Sequence, residues 1–152
     1  RSIIKEHYVF PTVGEQPIRE KIVNLFVAKN LNQFILIDKT AHVSKTATIG
    51  LSTYIGKNSS VNALSKIGTG VIINTNSVVE HECEIGDFVH LAPSATLAGN
   101  VKIGNRSFVG ANAVSKQNSS IGSDCILGAG SVLLKDLPKG ETWIGNPARK
   151  MR

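Results

Sequence analysis

Aromatic residues make up only 5% of this 152-residue chain and charged residues only 18%, so neither bulky rings nor a dense ionic surface organises it. With an ordinary hydrophobic fraction of 41%, small and aliphatic side chains must carry the packing. No run of about 18 apolar residues occurs and no signal peptide is visible, so we expect a soluble, cytoplasmic protein. The net charge of +6 would suit nucleic acid or a membrane surface, but most basic residues are scattered singly and none form a cluster interleaved with aromatic residues. That distribution argues against both partners and fits general solubility plus affinity for an anionic cofactor. The length suits one domain with a small appendage. The chain opens on Arg1 rather than Met, and we expect an N-terminal part of a longer protein to precede it.

What the chain has in abundance is a period of six. From Ile37 to Pro138 every sixth residue is Ile, Leu or Val, in sixteen of seventeen positions, and only Ser115 departs. Counted from these, the fifth position is small or short-branched in sixteen of seventeen cases, and Gly holds the second position eight times. Neither a helical nor a simple strand period explains this spacing. A short strand followed by a corner does, with one large and one small residue pointing inward. Three such units close a triangular coil of 18 residues, and coils stack about 4.8 Å apart as parallel strands do. Gly at the second position is expected to supply corner geometry that a Cβ would resist. Ser115, in the hexad SKQNSS, is expected to mark a bulged or shifted corner.

Residues 8 to 36 read differently. YVFPTVG is a short strand, and EQPIREKIVNLFVAKNL is a helix with Pro17 near its start and Ile18, Ile22, Leu25 and Phe26 on its apolar face. QFILI is a second strand, completing one β-α-β unit. The expected organisation is residues 1–36 as that partial unit, 37–138 as the repeat domain, and 139–152 as a C-terminal tail in which Trp143 anchors the end.

Seventeen hexads in register resemble the hexapeptide-repeat family, whose members form left-handed parallel β-helices. The resemblance covers about two-thirds of the chain, and it alone implies the left hand, since ordinary β crossovers are right-handed. VFPTVGEQPIREKI is similar to the end of the Rossmann-like domain that precedes the β-helix in bacterial nucleotide-aminosugar acetyltransferases and their sialic-acid O-acetyltransferase relatives. No G-x-G-x-x-G precedes it here, so the phosphate-binding turn of that domain is absent from this chain. The same branch carries a histidine and glutamate in the phrase VVEHEC, a second histidine nine residues on, and an ending like GNPARKM. These occur here as His81 with Glu82, His90, and Gly145 to Met151.

The resemblance implies an acetyl-CoA-dependent acetyltransferase acting on the amine of a nucleotide-linked amino sugar, needing no metal and working as a homotrimer. His81 would be the general base and Glu82 its orienting partner, while His90, Ala111 and Ala129 would contact acetyl-CoA. An ordinary imidazole titrates near about 6.5, which suits proton removal near neutral pH, and a carboxylate can fix its tautomer. Adjacent strand residues point to opposite faces, so Glu82 must reach His81 around a corner. Column arithmetic sets His81 between Ala63 and Gly99, and Gly99 is expected to leave room for a main-chain donor to approach a developing oxyanion. His90 falls between Ile72 and Phe108 in another direction, so the two histidines can share a pocket only across a subunit boundary. A small-residue track through Pro93, Ala111 and Ala129 would admit a pantetheine arm.

Other readings stay open. A sugar hydroxyl, as in sialic-acid O-acetylation, would use the same base. A zinc carbonic anhydrase of the hexapeptide type needs three histidines, and the third would come from distant His42 or His7. A non-catalytic trimeric scaffold is a further possibility, with His81 and His90 as ordinary surface and packing side chains. Cys83 and Cys125 lie seven hexads apart on different faces, beyond disulfide reach, and read as packing thiols of a reducing compartment.

Overall fold

The hexad period becomes physical as a two-residue strand and a four-residue corner. A computed structural model describes residues 7–151; Arg1 lies outside the described residues. Successive strands, such as Val78–Val79, Glu84–Ile85 and His90–Leu91, join three different sheets. Each pairs in parallel with residues 18 earlier and 18 later: Val78 with Ser60 and Thr96, Glu84 with Lys66 and Lys102, His90 with Ile72 and Phe108. The result is a three-sided, left-handed parallel β-helix. Its first face runs from Leu36–Ile37 to Thr142–Ile144, its second from His42–Val43 to Val132–Leu133, and its third from Thr48–Ile49 to Ser120–Ile121.

The second residue of each strand fills the prism. Ile55, Ile73, Leu91, Leu97, Val109 and Leu127 are fully buried and stack as columns of aliphatic side chains. The small fifth-position residues sit inside the corners, where serine hydroxyls find partners without water. Ser65 Oγ donates to the Glu80 carbonyl at 2.8 Å and Ser77 Oγ to the Ala92 carbonyl at 2.9 Å. A larger side chain there would hold the corner open.

The turning itself falls on the fourth position, not on the second-position glycines to which the sequence assigned it. Asn58, Asn76, Asn100, Asn112, Asn118 and Asp124 take φ between 54° and 61°, and Gly70 and Gly130 take +65°. Asn, Asp and Gly tolerate this left-handed conformation, which costs other residues about 1 kcal/mol or more. The second-position glycines answer a different need, the close approach of the next coil. A Cβ on Gly50 would lie 2.6 Å from the Gly68 main chain.

Ser115 produces no bulge or shifted corner. Val114–Ser115 pairs in register with Thr96–Leu97 and with Val132–Leu133. Its side chain is fully buried and its Oγ has no hydrogen-bond partner. The departure is a local volume and polarity defect in the core. Ser115→Val therefore stabilises the protein by about 1–2 kcal/mol, by removing an unsatisfied hydroxyl and adding apolar volume. A denaturant titration of both proteins checks this.

The N-terminal unit is β-α-β, with different limits from those expected. Strand β1 (Tyr8–Val9) pairs in parallel with β2 (Asn32–Gln33), and helix α1 (Gln16–Ala28) lies between them. The stretch QFILI is divided, since Leu36–Ile37 already belongs to the first face. The buried face of α1 is also rotated from the predicted one. Ile22 and Phe26 stay half-buried, but Ile18 and Leu25 are 41% and 49% exposed, and Arg19 and Val23 are buried in their place. At the other end the ladder passes residue 138. Leu137 bridges Ile121, and Thr142–Ile144 pairs with Ile126–Leu127 before the chain reverses through Arg149–Lys150. Trp143 packs on the end of the core, and its indole N–H donates to Glu141 at 2.8 Å.

Candidate active site

Two clusters on opposite sides of the prism carry the ionisable chemistry. The first sits at the corner between the second and third faces, where Val78–Val79 turns through His81 and Glu82 towards Glu84–Ile85. Glu82 occupies the left-handed corner position, with φ of 60°. That conformation swings its carboxylate to the same side as the preceding residue, and Glu82 Oε2 lies 3.0 Å from His81 Nδ1. The corner thus removes the strand alternation that would have separated them. A proton held at Nδ1 leaves Nε2 with its lone pair free, as a base requires.

Gly99, one coil on, is where the imidazole fits. A Cβ there would lie 2.6 Å from both Cε1 and Nε2 of His81. The room expected above Gly99 is therefore taken up by the ring itself. The imidazole is half-exposed and faces outward from the protomer.

The second cluster lies on the first face. His90 packs edge-on against Phe108, with ring centroids 5.3 Å apart. Its Nε2 is buried without a hydrogen-bond partner. Burial, helped by the positive charge of Arg19, pushes its pKa down to about 4, while the Gly14 carbonyl pulls the other way. A cleft of about 400 Å³ opens beside it, between the N-terminal unit and the first face, with Thr12, Gly14, Arg19, Tyr54 and Asn74 among its walls. A second, open groove of about 530 Å³ crosses the third face over Lys66, Glu84 and Lys102. That groove contains none of the histidines and only exposed ion pairs, which contribute little.

The low pKa of His90 has a consequence for stability. An unfolded imidazole titrates near about 6.5, so between that value and about 4 the unfolded chain binds more protons than the folded one. Folding stability therefore falls as the pH drops through this window. His90→Phe, which cannot be protonated, loses that component, and the difference between the two stability–pH curves measures it.

Within one chain the structure joins His81 to Glu82 and Gly99, but separates all three from His90. The corner that bears His81 lies opposite the first face that bears His90. Ala111 and Ala129 share the corner after the first face with Pro93, stacked 18 residues apart. Gly110 lets this track close up, since a Cβ on it would lie 2.4 Å from Ala129 N. His7 and His42 are exposed and take no part in either cluster. Among the described residues, no three of His, Cys, Asp or Glu gather as a metal-binding group. The sequence reading missed Arg19 and the Phe10–Gly14 loop; the available signal was a cation spaced four residues from Val23 on the helix face that packs inward.

A three-sided β-helix of hexads, with a histidine–glutamate pair at one corner, defines the architecture of a hexapeptide-repeat acyl transferase. Residues 82–114 and 100–135 match the family described as bacterial transferase hexapeptide (six repeats). This chain belongs to that hexapeptide-repeat acyltransferase family. GDP-perosamine N-acetyltransferase from Caulobacter crescentus, solved as a histidine-to-alanine mutant with CoA and GDP-perosamine, is 34% identical, with a TM-score of 0.94. The match covers 95% of this chain and 69% of that one. The acetyltransferase domain of PglB from Neisseria gonorrhoeae FA1090, in complex with acetyl coenzyme A, is 39% identical over 91% of this chain and 68% of that one, with a TM-score of 0.90. WeeI from Acinetobacter baumannii AYE is 30% identical over 95% and 70%, also with a TM-score of 0.90. No curated protein sequence matches this chain.

Proposed function

We propose that this protein transfers an acetyl group from acetyl-CoA to the amine of a nucleotide-linked amino sugar, with His81 as general base. The observation that carries this reading is the pair His81 Nδ1 to Glu82 Oε2 at 3.0 Å, which leaves Nε2 as the base. The similar structures support the substrates: one holds CoA and GDP-perosamine, another holds acetyl coenzyme A. The Caulobacter enzyme also occurs with a histidine replaced by asparagine, in line with a histidine at the centre of the chemistry.

Acetyl-CoA supplies an activated thioester. As the sugar nitrogen bonds to the acetyl carbon, His81 Nε2 takes its proton and returns it to the departing thiolate, so the histidine ends as it began. Glu82 holds the ring and stabilises the imidazolium formed in between. His90, with an unpartnered buried nitrogen, and the track through Ala111 and Ala129 suit the cofactor, while Gly99 gives the His81 ring its seat. The acceptor sugar enters the cleft between the N-terminal unit and the first face.

Because His81 and His90 point away from each other in one chain, the site forms between subunits of a homotrimer. Phe108, Ile126 and Val114 expose apolar side chains on the first and second faces, a surface suited to a cyclic head-to-tail contact. Among the described residues no helix is long and apolar enough to cross a membrane. The free, buried Cys83 and Cys125 support a reducing, cytoplasmic setting.

A CoA-release assay with a panel of nucleotide amino sugars, run beside nucleotide sugars that offer only hydroxyls, tests the reading. Release with amines, and not with hydroxyls, is expected. Release with hydroxyls alone would replace N- by O-acetylation.

A further inference from the structure

Arg19 is the largest side chain of helix α1 to be buried, at 1% exposure, and among the described residues no carboxylate forms an ion pair with it. Its guanidinium instead donates to three main-chain carbonyls from three separate segments. Nη1 reaches Gly14 at 2.6 Å, Nε reaches Gly70 at 2.7 Å, and Nη2 reaches Phe88 at 3.0 Å. Gly14 belongs to the loop that walls the cleft; Gly70 and Phe88 are the left-handed residues of one corner in two successive coils. Docking a helix on a β-helix requires only an apolar side chain, as Val23 shows one turn on. A buried cation is costly to desolvate, and neighbouring Glu20 offsets that only in part, so packing alone is a poor reason for it.

We infer that Arg19 is a positioning residue of the acceptor cleft: its three-way fork fixes the Phe10–Gly14 loop on the β-helix and sets its charge beside the buried Nε2 of His90. The inference rests on the acetyl-transfer reading for the identity of the acceptor. The planar fork suits the task, since its donors hold fixed angles that an ammonium lacks. The charge has a second effect, because it disfavours a proton on His90 and adds to the effect of burial. The groups around His90 are Arg19, with Glu20 beside it on α1, and Tyr54, two strands away on the same face; Ile72 and Phe108, the strand neighbours, carry no charge. A neutral imidazole keeps one N–H, which the Gly14 carbonyl takes up, and one lone pair, which leaves the unpartnered Nε2 to accept from bound substrate.

The test uses Arg19→Met, which keeps length and loses charge and fork, and Arg19→Lys, which keeps the charge alone. Three readouts separate positioning from mere support: steady-state constants for each substrate, the NMR titration of the His90 ring, and hydrogen exchange at residues 10–14. For Arg19→Met the expected result is an acceptor KM raised about tenfold or more, with the acetyl-CoA KM, which feels Arg19 only through the His90 ring, raised several-fold less. Its His90 midpoint should rise from about 4 and its loop exchange should accelerate. Arg19→Lys should keep the low midpoint while still raising the acceptor KM. A folded Arg19→Met protein with wild-type acceptor KM and wild-type His90 titration overturns the inference. If that variant does not fold, a wild-type acceptor KM in Arg19→Lys overturns it instead. Titration and exchange need no turnover, so wild-type protein that releases no CoA defeats the acetyl-transfer reading while those two readouts still decide the role of Arg19.

Discussion

His81→Ala lowers kcat for acetyl transfer by about 10²–10⁴-fold while the thermal transition stays where it was, because the variant loses the base and nothing that holds the coil. The side chain is half-exposed, and its one side-chain hydrogen bond is to Glu82, itself on the surface. The main-chain bond from Asn100 N to the His81 carbonyl survives any substitution there. A loss confined to KM would assign His81 to binding alone, and full activity would remove it from the mechanism. Glu82→Gln should sit between wild type and His81→Ala, since an amide can still accept from Nδ1–H but cannot offset the imidazolium charge.

Gly99→Ala gives the second large effect. A new Cβ 2.6 Å from Cε1 and Nε2 cannot coexist with the imidazole where it lies. The contact is with the end of a flexible, half-exposed side chain rather than with main chain, so the ring yields and the coil does not. Displacing a base by about 1 Å costs about 10²-fold in rate, so activity falls by roughly that factor at unchanged stability. Matched steady-state kinetics and melting curves decide it. Stability lost in step with activity would mean that the coil has moved instead.

The β-helix was legible because hydrophobic columns force the period: Ile67, Ile85 and Ile103 had to stack, and a slip by one residue would bury Lys66, Glu84 and Lys102. The turning residue was harder to read. Second-position Gly draws the eye, yet the left-handed corner is marked by Asn58, Asn76 and Asn118, and a one-dimensional count cannot tell a glycine needed for φ from one needed for closeness. The pairing of Glu82 with His81 depends on that same corner, which is why strand alternation alone argued against it. Arg19 escaped because hydrophobic patterning assigns cations to solvent. Only the three carbonyls that meet it in space, from residues 14, 70 and 88, make its burial tolerable.

The division of the site between subunits is tested most directly by mixing two inactive proteins, His81→Ala and His90→Ala, unfolded together in equal amounts and refolded. In random trimers about one interface in four then unites an intact His81 with an intact His90 from its neighbour, so CoA release should recover to about a quarter of the wild-type rate. A mixture no more active than its two components would contradict a shared site.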